Sequence, residues 1–294
     1  MKKGLKIAVT VAPLVALALL AAFVIHHIVL LAPRDNMVLV KTATLEENIT
    51  LDGFLFRDET VLTANGEIKK IAVTDGEKIA AGAVVAIADE EIRAERSGYF
   101  YSGVDGYETH FTADAALSLD IENFDNITAE NPLDNSKHAK PVKSPGAFGK
   151  VATDFVWYFA VKTDRADKFN PGEKYVAAFG GVSVTLELIK KTDGEKNSVL
   201  VFRCDRTSRN IEFKRVMSGE VTVAYHTGAA VPSDAVHDID KLKYVYIFDD
   251  GFARRRAVNL IFEQDGVCVI ESKNIDDGDL VIIAKNLYDG KVMH

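Results

Sequence analysis

The sequence predicts a mainly β protein, with small β modules in series behind one apolar N-terminal segment. Three observations lead there. Short β-branched and aromatic runs, separated by Asp-Gly, Asn-Pro-Gly and Gly turns, recur from Met37 almost to the C-terminus. Residues 65–88 and 92–108 form two answering strand-turn-strand arms, and residues 7–33 contain no Asp, Glu, Lys or Arg. At 294 residues, the chain can hold two to three small domains with cores of their own. A composition of 48% hydrophobic and 27% charged residues excludes wholesale disorder. The net charge of -8 argues against a general nucleic-acid binder, which needs a basic face toward phosphates, but leaves room for a local basic patch.

The uncharged run from Ile7 to Pro33 is long enough to cross the hydrocarbon core as one helix, the form that satisfies its backbone polar groups there. Lys2, Lys3 and Lys6 precede it, and Arg34 is followed at once by Asp35. The positive-inside bias then makes residues 1–6 a cytoplasmic tail and places residues 34–294 outside. A cleaved signal peptide is the competing reading, with Ala16, Ala18, Ala21 and Ala22 as small-residue cleavage positions. The apolar run continues past the usual signal core through Phe23, Val24, Ile28 and Leu31, which favours an uncleaved anchor. Either way the bulk of the protein is exported.

Residues 34–56 read as an extended strand linker leading from the membrane and joining a membrane-proximal module. The two arms follow, within a module assigned to residues 57–108. In the first arm, Gly66 opens a strand, Asp75 and Gly76 make a turn and Gly82 a second one; Ile68, Ile71, Val73, Ile79, Val84, Val85 and Ile87 fill the gaps. The second arm repeats this with Ser97-Gly98, Ser102-Gly103 and Asp105-Gly106 around Tyr99, Phe100 and Tyr101. Glycine takes the positive φ that such turns demand.

This pair of arms resembles the barrel-sandwich hybrid of HlyD-type membrane fusion (periplasmic adaptor) proteins, a fold shared with biotinyl and lipoyl carrier domains. Gram-negative adaptors of that family insert a long helical hairpin between the arms; here only Asp89, Glu90 and Glu91 intervene. The short form puts docking to an outer-membrane duct in doubt and suggests a Gram-positive type of bacterium. A carrier would bear a modified lysine at the same junction, yet no lysine lies between Lys78 and Lys137, which excludes a swinging arm.

Residues 109–143 are expected to be a linker with one short helix at Ala113 to Phe124; Pro132 and Pro141 lie in its polar remainder. Residues 144–225 look like a β-barrel. Val151 to Val161 is rich in aromatic and β-branched residues, Asn170-Pro171-Gly172-Glu173 is a turn, and Thr192-Asp193-Gly194 joins two strands as a hairpin. Trp157 is expected in the barrel core. Residues 226–294 show Val231-Pro232 and Ala235-Val236, a Tyr244–Phe248 strand, an Asp249-Asp250-Gly251 turn, Ala253–Val258, and then Gly266–Ile270 and Ile275–Ile282. That succession resembles the membrane-proximal domain of the same family, joined there by the early strands. The sequons at Asn48 and Asn126 are read as chance.

Nothing in the sequence nominates a reaction. A nucleophile elbow, P-loop and dinucleotide motif are all missing. The carboxylates at 90–91 and at 276, 277 and 279 read as solvated turn residues. Cys204 and Cys268 sit apart in apolar runs and read as buried strand thiols. Arg254, Arg255 and Arg256 read as a solvated edge strand with 254 and 256 on one face; a headgroup or transporter contact is the alternative. Arg203, Arg206 and Arg209 read the same way. The expectation is therefore no enzyme, with no catalytic, cofactor-binding or metal residue. The resemblance implies a membrane-anchored extracytoplasmic adaptor subunit of a transport or efflux system. It would contact an ABC or RND transporter or other envelope proteins, assemble with itself, and bind no nucleic acid. The alternative is a cell-envelope scaffold for division or wall assembly, without a transporter. Substrate, transporter and oligomeric state are not legible in the sequence.

Overall fold

The computed structural model describes residues 36–128, 144–152, 155–206 and 214–293. The expected tail at 1–6, the span at 7–33, residues 129–143 of the expected linker and Arg209 lie outside the described residues. In chain order the strands begin with β1 (Asn36–Leu39), β2 (Lys41–Phe56), β3 (Glu59–Thr63), β4 (Lys70–Ile71), β5 (Lys78–Ile79), β6 (Val84–Ile87), β7 (Glu91–Arg93) and β8 (Gly98–Tyr101). Helices α1 (Ala113–Ser118) and α2 (Ile121–Thr128) follow. Next come β9 (Ala147–Ala152), β10 (Trp157–Thr163), β11 (Lys174–Phe179), β12 (Val182–Asp193), β13 (Ser198–Cys204) and β14 (Val216–Pro232). The chain closes with β15 (His237–Ile239), β16 (Leu242–Asp249), β17 (Phe252–Gln264), β18 (Val267–Glu271), β19 (Leu280–Ile283) and β20 (Lys291–Val292). Two compact units result: residues 46–225, and the two chain ends through Leu45 and from His226.

In the 46–225 unit, the arms form two small sheets, β3-β9-β8-β5 and β4-β6-β7, around Leu62, Ile79, Val85, Ala94, Phe100 and Val151. The turns of the two arms are tied together. The Asp75 carboxylate accepts the Ser102 N–H at 2.7 Å and its hydroxyl at 3.0 Å, while the Gly76 N–H donates to the Phe100 carbonyl at 2.8 Å. β6 passes to β7 through a tight turn in which the Ala88 N–H donates to the Glu90 carbonyl. β9 corrects the expected boundary at residue 144: its residues pair with β3 and β8, so Ala147–Ala152 belongs to the hybrid sheets, not to the barrel. The apolar stretch from Val151 to Val161 is accordingly two strands, β9 ending at Ala152 and β10 starting at Trp157.

The barrel is the six-stranded order β14-β11-β12-β13-β10-β2, closed by pairing of β14 with β2. Residues 53–56 of β2 pair with β10, so this part of the expected membrane-side linker is a barrel strand. Alternation sends Trp157, Phe159 and Val161, and likewise Leu186, Leu188, Leu200 and Phe202, into the interior. Trp157 is buried and its indole N–H donates to the Arg206 carbonyl at 2.9 Å. Ala160, Val199 and Val201 face the other way, under Phe111, Ala116, Leu119 and Phe124. The segment expected to be a linker is therefore, through α1 and α2, a packed cover on the outer barrel wall. Cover on both faces explains why β10 and β13 read as nearly continuous apolar runs.

In the unit of the chain ends, β1 runs antiparallel to β19, with Asn36 opposite Ile283 and Leu39 opposite Leu280. β16 pairs with β15, β17 and β19, and residues 229–232 of β14 pair with β18. Val40, Val231, Val245, Cys268, Ile270 and Val281 form its main core. Two hairpins turn on Asp250-Gly251 and Asp265-Gly266, with φ of 47° and 83°, and of 50° and 78°. Positive φ at both central residues suits a tight antiparallel hairpin, which explains the Asp-Gly choice. β16 pairs with the Arg254–Arg256 stretch on one side, from Phe252 to Val258; on the other, β20 pairs only at Phe252 and Ala253 and β18 only from Asn259, so among the described strands Arg254–Arg256 lie at an open edge, as the sequence suggests. Arg254 and Arg256 are half-buried and Arg255 is exposed, as alternation requires.

A Cβ added at Gly98 would lie 2.1 Å from the Ala152 carbonyl oxygen, whereas one at Gly103 meets nothing within 4 Å. Gly98→Ala is expected to cost about 1–3 kcal/mol by overpacking, and Gly103→Ala no more than about 0.5 kcal/mol. Urea midpoints of the two variants check this.

Candidate functional site

The end of β2, the start of β3, the loop after β8, the middle of β9 and the approach to β14 converge within the 46–225 unit. Each delivers a charged side chain. Arg57 follows β2, and Glu59 opens β3, two residues on and on the same side of the extended chain. Asp105 and Glu108 come from the loop after β8, Lys150 from an otherwise apolar strand, and Arg215 from the residue before β14. Backbone bonds set the frame: the Leu55 N–H donates to the Arg215 carbonyl and the Arg57 N–H to the Phe111 carbonyl, both at 2.9 Å.

The Glu59 carboxylate is the centre, its side chain 0% exposed. It receives Arg57 Nε at 2.7 Å, Lys150 Nζ at 3.0 Å and Arg215 Nη2 at 2.5 Å. Arg215 also grips Asp105, Nε to Oδ2 at 2.8 Å and Nη2 to Oδ1 at 3.0 Å. Lys150 reaches Glu108 Oε1 at 3.1 Å, and that oxygen also accepts the Asp105 N–H at 3.0 Å. The guanidinium of Arg57 lies over the Tyr101 ring at 4.5 Å and that of Arg215 over Phe111 at 5.3 Å. Arg57, Lys150 and Arg215 thus balance Glu59, Asp105 and Glu108.

Burial pushes the Glu59 carboxyl up, but Arg57, Arg215 and Lys150 more than offset it, so the group titrates below the ordinary carboxylate range. Burial also opposes ionisation of Asp105, and its hydrogen bonds to Arg215 hold it far below that range. Arg215 is pushed well above its ordinary value: burial lowers it, and Asp105 and Glu59 overcome that effect. A cleft of about 500 Å³ opens onto the cluster, with Leu55, Asp75, Tyr101 and Lys214 on its walls. Charges committed to one another in this way act chemically as a fastening between the hybrid sheets and the barrel, not as an acid–base pair.

Residues singled out in the sequence lie elsewhere. Glu91 pairs with Arg93 at the exposed tip of the hybrid. Asp277 accepts the Thr42 N–H at 2.6 Å, and Asp279 accepts the Asp276 N–H at 2.9 Å, both as turn fastenings. Arg203 pairs with Asp205 at 2.9 Å, and Cys204 and Cys268 are buried free thiols. Among the described residues, no group of three or more His, Cys, Asp or Glu is placed to hold a metal ion. The cluster itself went unread in the sequence. Its faint signals are the Arg57-Asp58-Glu59 alternation and the single lysine inside Ala147–Ala152.

No family model matches the chain, and no curated protein matches it. Solved structures do. MacA from Actinobacillus actinomycetemcomitans is 15% identical, with 84% of this chain and 99% of that one covered and a TM-score of 0.40. A putative efflux transporter from Bacteroides eggerthii is 11% identical over 89% and 99%, with a TM-score of 0.35. The membrane fusion protein Spr0693 from Streptococcus pneumoniae is 13% identical over 59% and 98%, with a TM-score of 0.27. Likenesses of this size decide neither fold nor function. In the kind and order of its modules, the chain resembles HlyD-type adaptors.

Glu59→Gln leaves three buried cations against two carboxylates and is expected to cost about 3–5 kcal/mol in urea denaturation. Asp89→Asn, which breaks only the exposed pair with Lys69, is expected to cost less than about 1 kcal/mol. The acid limb follows from the depressed carboxyls. Their contribution is complete above the unfolded values and is lost as pH falls through the lower folded ones. Thermal midpoints should therefore hold from pH 7 to about pH 5 and fall only below about pH 4. A midpoint that drops already between pH 7 and 5 contradicts the assignment.

Proposed function

We propose that the chain is an extracytoplasmic adaptor subunit of a transport or efflux system, working through protein contacts. In this reading residues 7–33 are its single membrane span, with the N-terminus in the cytoplasm and residues 34–294 outside. It assembles laterally with itself, binds an inner-membrane transporter of ABC or RND type, and passes that transporter's conformational change along its β modules. No described helix is long and apolar enough to cross a membrane, and residues 7–33 lie outside the described set.

The observation that carries the reading is the buried charge cluster. It fastens hybrid to barrel with side chains from five separate segments, so a displacement at one is transmitted to the other. Such rigidity suits a part that relays force. The tip of the hybrid is a three-residue turn, Ala88–Glu90, between β6 and β7, with Asp89 exposed, and in this reading it is the first place to look for a partner.

A photo-crosslinking residue in place of Asp89, activated in native membranes, tests the reading. The expected products are a self-adduct and an adduct with a transporter subunit, identified by mass spectrometry. Recovery of self-adducts alone overturns the transport assignment. Adducts only with division or wall-assembly proteins replace it with the envelope-scaffold reading.

A further inference from the structure

Residues 254–258 of β17 have β16 on one side and, among the described strands, none on the other: β20 stops at Ala253 and β18 begins at Asn259. The gap is about 17 Å long, room for a short added strand, and an unpaired row of N–H and C=O groups invites one. Backbone groups along this row are nevertheless taken. Asp289, in the loop before β20, accepts the Arg255 N–H on its Oδ1 at 2.9 Å. Ser272, just after β18, donates its hydroxyl to the Ala257 carbonyl at 2.9 Å. At the near end the Gly290 N–H donates to the Ala253 carbonyl at 2.8 Å. Every second residue of an antiparallel strand turns its backbone groups to the same side, so all three bonds lie on the side away from β16.

Both side chains are held where they act. The Ser272 hydroxyl also accepts the Asn274 N–H at 3.3 Å, and the Tyr246 hydroxyl anchors the loop of Asp289 by donating to the Leu287 carbonyl at 3.2 Å. The arginines are engaged within β16 and β17: Arg255 lies over the Tyr244 ring at 4.8 Å, Arg254 over Phe252 at 5.2 Å, and Arg256 Nη2 is 3.9 Å from Asp249 Oδ2. We propose that Asp289 and Ser272 are edge guards, which close β17 to strand addition by a second copy of this chain. An identical edge laid antiparallel about Arg255 sets Arg255 against Arg255 and Arg254 against Arg256, and like charges directly opposite oppose that pairing. The guards remove the backbone groups whose hydrogen bonds would overcome the repulsion. Lateral self-assembly in the adaptor reading must then use another surface. The inference itself does not rest on that reading, since it concerns the sheet edge alone.

The test compares the full chain in detergent micelles with its Asp289→Ala/Ser272→Ala variant, using hydrogen exchange to read the edge and sedimentation velocity to read association. In the variant the Arg255 amide is expected to exchange several-fold faster, while the amides of Val245 and Ile247 in β16 stay as protected as in the parent. A concentration-dependent species larger than the parent's is expected beside it, and high salt, which screens the arginines, increases it. Asp289→Asn, which keeps an acceptor oxygen, should behave as the parent in both readings. An Arg255 amide that exchanges as in the parent shows that Asp289 guards nothing. An amide that opens while sedimentation stays the parent's at every concentration and salt shows that the edge attracts no copy. Either result overturns the proposal, as does association of Asp289→Asn equal to that of the alanine variant. If the double change also exposes Val245 and Ile247, Asp289→Ala alone is judged by the same two readings.

Discussion

A carboxylate with no access to water is the constraint on which the larger unit depends. Glu59 is ionised in a place where burial alone would keep it neutral, and it stays so because three cations reach it from Arg57, Lys150 and Arg215. Desolvating an ion costs several kcal/mol, and the cost is recovered only if every partner arrives in the correct geometry. The end of β2, the start of β3, β9, the loop at 105–108 and the approach to β14 are therefore held to one arrangement. An apolar seam would tolerate sliding. This one does not, since any shift leaves a charge unpaired.

The rest of the unit is built around that seam. Above it, the hybrid has a thin core and depends on tied turns, with Asp75 holding Ser102 and Gly98 pressed against Ala152. Below it, the barrel is dense, with interlocked aromatic rings such as Trp157 on Phe179 and Phe159 on Phe179, at 5.5 and 5.1 Å between centroids. Helices α1 and α2 cover the outer wall through Phe111, Ala116, Leu119 and Phe124. A small sheet module fastened to a stiff barrel by fully paired charges is a mechanical element, and the adaptor reading gives that element a task.

Local chemistry was legible in the sequence; long-range assembly was not. Asp250-Gly251 and Asp265-Gly266 announce their hairpins because only a few residue types accept positive φ. The arms around Asp75-Gly76 and Ser102-Gly103 could be read for the same reason, and Trp157 announced a core by size alone. The assignment of β9 failed because an isolated apolar strand carries no label for its partner; Ala147–Ala152 fits a barrel and a hybrid sheet equally well until β3 and β8 are present. A short helix from Ala113 was legible, but its place in the fold was not, because Phe111, Ala116, Leu119 and Phe124 find their partners only in β10 and β13, distant in the chain. Arg254–Arg256 were legible as an edge because charge suits a strand margin, and only β16 pairs with them. The charge cluster is the extreme case: its six members lie between positions 57 and 215, and nothing in a local window marks them as neighbours.

Native-state hydrogen exchange tests most directly whether the seam makes hybrid and barrel one body. The amides of Tyr99 to Tyr101 in β8 and of Phe159 to Val161 in β10 should open with the same free energy and the same denaturant dependence, as parts of a single cooperative unit. Exchange of the β8 amides at a distinctly lower free energy, while β10 stays protected, would mean that the hybrid unfolds on its own, and would contradict the account.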